Sequence, residues 1–158
     1  MDIEYAREGR YFEELNIGDR YKTLSRTITE TDIVNFVALA GIYEELFMNI
    51  EYIKEHSVFK KKVAPGPLVY CIAEGLAVIL GLLHGTGMAF LGLNEMRIPA
   101  PVACGDTIGV EIEVIDKRET KKPDRGVVAF RHTVKNQRDE IVMVFEVNRL
   151  MRRKEGLQ

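Results

Sequence analysis

The chain has no tryptophan, only two cysteines and five prolines, and no excess of charge of either sign in 158 residues. Cys71 and Cys104 lie far apart and make no Cys-x-x-Cys pair, so neither a disulfide framework nor a thiolate metal site is indicated. Both read as reduced, Cys71 as a core thiol. With 22 Lys and Arg against 24 Asp and Glu, the formal charge of -2 argues against a nucleic-acid partner. The longest apolar run, Pro67 to Leu83, is too short for a membrane span and carries Glu74. The opening Met1-Asp2-Ile3-Glu4-Tyr5 lacks a basic segment followed by an apolar one, so a cytoplasmic protein is expected. Nothing in the sequence calls for a metal or a cofactor.

What is present is apolar material for a core, 46% of the chain, at a length that suits one domain over 1–158. Residues 1–18 read as a lead packed by Tyr5, Tyr11 and Phe12, and 152–158 as a loose tail. The stretch from Pro65 to Leu83 reads as a central helix, with Pro67 in a first turn that tolerates proline. Being apolar on nearly every face, it should be wrapped by the rest of the chain. His84 just beyond it is placed to meet a helix C-terminus.

Before that helix, a strand is expected over about Arg20 to Ile28. Thr29 with Asp32 then forms a short-acid capping box, opening a helix with Ile33, Phe36, Val37 and Ala40 on one side and Gly41 at its end. Asn49 to His56 suits a short helix capped by Asn49, and Lys60-Lys61-Lys62 a solvated loop. After Gly87 the period becomes two. Isoleucine and valine at 108, 110, 112 and 114 share one face, and further strands are expected over Met88–Ile98, Gly126–Lys135 and Glu140–Met151. Lys117 to Arg125 reads as a mobile charged connection. One strand, then helices, then four antiparallel strands describe an α+β hot-dog fold, an antiparallel sheet wrapped around one long central helix. Its open sheet edge favours a homodimer.

Three segments carry a resemblance: Thr31 to Gly41, Val63-Ala64-Pro65-Gly66-Pro67-Leu68-Val69, and Pro101-Val102-Ala103-Cys104-Gly105-Asp106-Thr107. In this order they resemble the MaoC-like hydratases, including the (R)-specific enoyl-CoA hydratases, over about Tyr11 to Leu150. Active members of that family carry Gly-Asp-x-Asn-Pro-x-His after the first helix. Here the stretch reads Gly41-Ile42-Tyr43-Glu44-Glu45-Leu46-Phe47. Ile42 therefore stands where the family has its catalytic aspartate and Phe47 where it has its histidine, while Asn49 falls where an aspartate is frequent. The family's Ala-His-Gly becomes Ala64-Pro65-Gly66.

Adding water across a double bond conjugated to a thioester requires proton transfer to and from the substrate and a donor for the thioester oxygen. The resemblance implies that Gly66 supplies that donor as a backbone N–H, that Pro67 removes the next one, and that Ile42, Tyr43, Phe47, Asn49 and Pro65 line the pocket. Isoleucine and phenylalanine cannot move protons. Glu44 is the candidate catalytic group, or else a solvated surface charge; Glu45 is the weaker choice. His56, His84 and His132 lie outside the matched signature. The resemblance implies a MaoC-like acyl-thioester hydro-lyase with a non-standard site, its partner an acyl-CoA or acyl-carrier thioester. Two alternatives stay open: a non-catalytic acyl-CoA-binding or regulatory hot-dog protein, and an acyl-CoA thioesterase.

Overall fold

The structure, a computed structural model, describes residues 9–154. A 3-10 turn at Phe12–Glu14 precedes β1 (Arg20–Lys22), β2 (Arg26–Thr27), α1 (Glu30–Ala40), α2 (Glu45–Met48), α3 (Ile50–His56) and α4 (Gly66–Ile79). Four long strands follow: β3 (Gly87–Arg97), β4 (Thr107–Glu119), β5 (Arg125–Lys135) and β6 (Ile141–Arg152). The sheet order is β1-β4-β5-β6-β3, with β2 also on β4, and every pairing is antiparallel. The sheet lays its apolar face on α4, which is the hot-dog arrangement.

Alternation sets the sheet's inner face. Ile108, Val110, Ile112 and Val114 are all buried on β4, and the register sets Ile112 opposite His132 and His132 opposite Phe145. The expected first strand is split in two. Thr23 Oγ1 accepts the Val110 N–H at 2.9 Å and the Thr23 N–H donates to the Val110 carbonyl at 3.0 Å, so a side chain interrupts the ladder between β1 and β2.

The capping box forms as read: Thr29 Oγ1 accepts the Asp32 N–H, and Asp32 Oδ2 accepts the Thr29 N–H at 2.8 Å. Burial raises the Asp32 carboxyl's pKa, but the hydrogen bonds from Thr29 and the nearby Arg26 hold it below its ordinary value. Gly41 closes α1 in the left-handed region, at φ 68°. Asn49 caps α3, its Oδ1 accepting both the Glu51 and Tyr52 N–H groups at 3.1 Å.

Four expectations need correction. First, α4 is not covered all round. Leu68, Val69, Ile72, Ala73, Leu76 and Ala77 are buried against the sheet, but Pro67, Cys71, Gly75, Val78 and Ile79 form an exposed stripe on the other side. Cys71 is thus a surface thiol, because one sheet can cover only one face of a helix. Second, α4 ends at Ile79, so His84 sits in the following turns, its carbonyl accepting the Gly9 N–H.

Third, the charged connection is shorter than expected, with only residues 120–124 outside the strands. β4 runs on to Glu119, and Lys117 reaches back over the Phe12 ring, 4.5 Å from its centroid, to donate to the Leu15 carbonyl. Phe12 fits there because residue 126 is glycine: a Cβ would stand 2.4 Å from the ring. Arg153 then pins the end of β6 to Glu13 at 2.9 Å, while Tyr5 and residues 155–158 lie outside the described residues. Fourth, Lys62 is not a solvated charge; its side chain is 12% exposed and pairs with Glu30 at 2.5 Å. The bond from Lys62 holds the Glu30 carboxyl below its usual pKa.

Candidate functional site

Two chain segments carry the residues singled out from sequence. The first is the turn after α1. The Ile42 N–H donates to the Val37 carbonyl at 3.1 Å, the Glu44 N–H to the Ile42 carbonyl at 3.0 Å, and the Phe47 N–H to the Glu44 carbonyl at 2.9 Å. This winds 42–49 into a compact cap ending in α2. Phe47 turns inward and packs on the core cluster. Tyr43 is 66% exposed, so its ring is not packed into the core. Glu44 precedes α2 as an exposed carboxylate that makes no capping bond.

A surface cleft of about 340 Å³ runs beside this cap, lined by Tyr43, Glu45, Met48, Asn49, Ile50 and Glu51. Gly66, Glu44 and Phe47 do not line it. Asn49 borders it, but the carbonyl oxygen of its side chain is fully engaged in capping α3, leaving only its NH₂ to offer a ligand.

The second segment is the start of α4. Pro65 is buried and precedes the helix with an extended ψ of 137°. Its carbonyl accepts both the Leu68 N–H, at 3.0 Å, and the Val69 N–H, at 3.2 Å. Pro67 has no N–H. Of the four backbone positions in the first turn, Gly66 therefore keeps the one donor with no acceptor among the described residues. Such a donor on the axis of a 14-residue helix presents the positive end of the helix dipole to a ligand oxygen.

Ile98, absent from the sequence candidates, stands over Gly66: a Cβ built on residue 66 would lie 2.7 Å from Ile98 Cδ1. Nothing in the sequence pattern brings residues 66 and 98 together. Because Ile98 is 51% exposed and can swing away, Gly66→Ala should fold normally. Its methyl group crowds the free N–H, and affinity for an acyl thioester is expected to drop about three- to tenfold, the worth of one net hydrogen bond, by calorimetry.

Inside the molecule, Glu74 of α4 and Arg149 of β6 form an ion pair, with Arg149 Nη2 2.8 Å from Glu74 Oε2. Their side chains are 17% and 11% exposed. Among the described residues no group of three or more His, Cys, Asp and Glu could hold a metal ion, and no helix is long and apolar enough to cross a membrane.

Fold and site thus define a hot-dog protein with a helix N-terminal donor at Gly66 that has no acceptor among the described residues. Residues 13–136 match the MaoC like domain, and the chain belongs to that family. It is 37% identical over 118 residues to Protein MaoC of Klebsiella aerogenes, covering 74% of this chain and 33% of that protein. It is 29% identical over 138 residues to β-methylmalyl-CoA dehydratase of Chloroflexus aurantiacus, covering 87% of this chain and 38% of that enzyme. The chain thus spans between about a third and two fifths of the length of these relatives. Among solved structures, the monoamine oxidase regulatory protein of Archaeoglobus fulgidus superposes with a TM-score of 0.87 at 36% identity, covering 94% of this chain and 98% of that one.

Proposed function

We propose that the chain binds an acyl-CoA or acyl-carrier thioester with its carbonyl oxygen on the Gly66 N–H, and acts on it as a MaoC-like hydro-lyase in which Glu44 handles the proton. The observation carrying this reading is the single unspent donor at the start of α4. Polarising the thioester carbonyl draws charge out of the conjugated double bond, and an N–H aimed there stabilises the enolate that forms. The 29% identity to a CoA dehydratase supports the same chemistry. Glu44 and Glu45 are both exposed carboxylates at signature positions, and Glu44 is chosen because the family position it replaces lines the pocket.

Binding is proposed to take place in a homodimer. β3 is an edge strand with Phe90 and Leu91 half exposed, and the bare stripe of α4 adds Val78 and Ile79 to the apolar surface. A second copy would cover these and supply the wall that Glu44 lacks in a single chain. A cytoplasmic location is part of the same proposal.

A second reading is thioester binding without turnover, as in a regulatory hot-dog protein. The observation favouring it is that Phe47 turns into the core at the position of the family histidine while Glu44 faces outward. Hydration of a chain-length series of trans-2-enoyl-CoA substrates, run beside Glu44→Gln, separates the two. The hydro-lyase reading expects measurable turnover and at least a tenfold loss in kcat for the variant, since a positioned acid–base group contributes about 10² or more. Absence of turnover in folded protein that binds the thioesters selects the second.

A further inference from the structure

We propose that Asp106 is a positioning residue for the Gly66 donor, acting through a crossbar of backbone, residues 102–106, that fixes the entry to α4. The proposal rests on the reading of Gly66 as the group that meets the thioester. Asp106 is 6% exposed and its carboxylate is completely used. Oδ2 accepts the Ala103 N–H at 2.8 Å, Oδ1 accepts a hydrogen from Gln137 Nε2 at 2.7 Å, and Arg138 Nη1 stands 3.5 Å from Oδ1.

The crossbar so held meets the chain entering α4 at three consecutive points. The Cys104 N–H donates to the Lys62 carbonyl at 3.0 Å, Val63 pairs with Ala103, and the Ala64 N–H donates to the Val102 carbonyl at 2.8 Å. Only Pro65 separates Ala64 from Gly66, and its ring fixes φ. A shift of the Val102 carbonyl is therefore passed to the Gly66 N–H with little slack. On its other side the crossbar grips the approach to α1: the Gly105 N–H donates to the Ile28 carbonyl and the Ile28 N–H to the Asp106 carbonyl, both at 2.8 Å. The same five residues thus fix the entry to α4, which bears Gly66, and the approach to α1, which leads to the turn at 42–49.

The chemistry requires a carboxylate at 106. Two donors, the Ala103 N–H and the Gln137 amide, converge on it. Gln137 cannot turn its oxygen inward, because its Oε1 accepts the Thr107 N–H at 3.0 Å. Asparagine at 106 would satisfy one donor and present its own NH₂ to the other. Exchanging the two side-chain types restores the three shorter bonds, though not the 3.5 Å contact with Arg138: in Asp106→Asn with Gln137→Glu, the asparagine oxygen accepts from Ala103 and its NH₂ donates to the new carboxylate, whose other oxygen accepts from Thr107.

The test uses ¹⁵N-labelled full chain, hydrogen exchange of the Ala64 amide, and titration with butyryl-CoA and with free CoA. Asp106→Asn is expected to speed Ala64 exchange at least tenfold while β5 amides hold their protection. It should also weaken butyryl-CoA about tenfold with free CoA within twofold, a carbonyl-specific loss that general destabilisation would not give. The double exchange should recover both. Gln137→Leu, at an exposed position, should show the same pattern at smaller size and serves if Asp106→Asn does not fold. Wild-type exchange and butyryl-CoA affinity in Asp106→Asn, or a double variant no better than the single, overturns the proposal. Failure of the wild-type protein to bind butyryl-CoA sinks the thioester reading alone, and the Ala64 exchange series still decides whether Asp106 sets the entry to α4.

Discussion

Arg149→Met will destabilise the fold by about 3 kcal/mol, whereas Arg149→Met combined with Glu74→Leu will stay within about 1 kcal/mol of wild type. The single change leaves the Glu74 carboxylate between helix and sheet with nothing to replace its lost partner. Its side chain is only 17% exposed, so water can relieve little of the charge. In the intact pair, Arg149 Nη2 contacts both Glu74 oxygens, and the guanidinium lies 5.7 Å from the Phe90 ring centroid. Removing both charges removes the desolvation cost along with the attraction, and two apolar side chains can fill the space. Urea unfolding at one fixed protein concentration checks this, as the midpoint shifts at constant m. Equal losses in the single and double variants would show that the pair's attraction, and not the stranded charge, is what matters.

Stability is expected to fall as the pH drops below 6.5, with His132 as the cause. The imidazole is 2% exposed, stacks on Phe145 at 4.6 Å between centroids, and leaves Nδ1 with no partner among the described residues. Burial, reinforced by the positive charge of Arg149, holds its pKa down to about 3, against an ordinary 6.5. Above pH 6.5 neither the folded nor the unfolded chain binds this proton, and stability is flat. Below it the unfolded chain takes up the proton and the folded one does not until about pH 3, so folding loses about 2 kcal/mol by pH 5 and about 3 kcal/mol by pH 4. Glu13, Glu14 and Asp106, whose pKa values are lowered by their hydrogen-bond donors, add to the loss nearer pH 4. The window from pH 7 to 5 therefore isolates the histidine. His132→Phe, which keeps the ring stack, should flatten that window whatever its effect on absolute stability. An unchanged slope would show that the imidazole protonates in the folded state.

These two effects involve residues whose types were plain in the sequence but whose partners were not. Glu74 and Arg149 are 75 positions apart. Nothing local joins them, and His132 looked like any mid-strand histidine until Phe145 and Arg149 closed over it. The same division holds along the chain. Local codes were legible: the Thr29–Asp32 capping box, Gly41 as the helix end, Asn49 as the next cap, and the alternation through Ile108, Val110, Ile112 and Val114 all depend on neighbours within a few residues. Expectations failed where a long-range contact outvoted the local pattern. Lys117 is drawn onto Phe12, Thr23 spends its hydroxyl on β4, and Lys62 is claimed by Glu30.

The candidate site divides in the same way. By itself the sequence determined the hot-dog architecture and the glycine at the start of α4, because each follows from residue type and order. Tertiary structure alone decided that Gly66 keeps a donor with no acceptor among the described residues, that Ile98 stands over it, that Asp106 holds the 102–106 crossbar, and that one face of an apolar helix lies bare. Hydrogen-bond partners and burial are properties of surfaces brought together across the chain, and no local spacing records which surfaces meet.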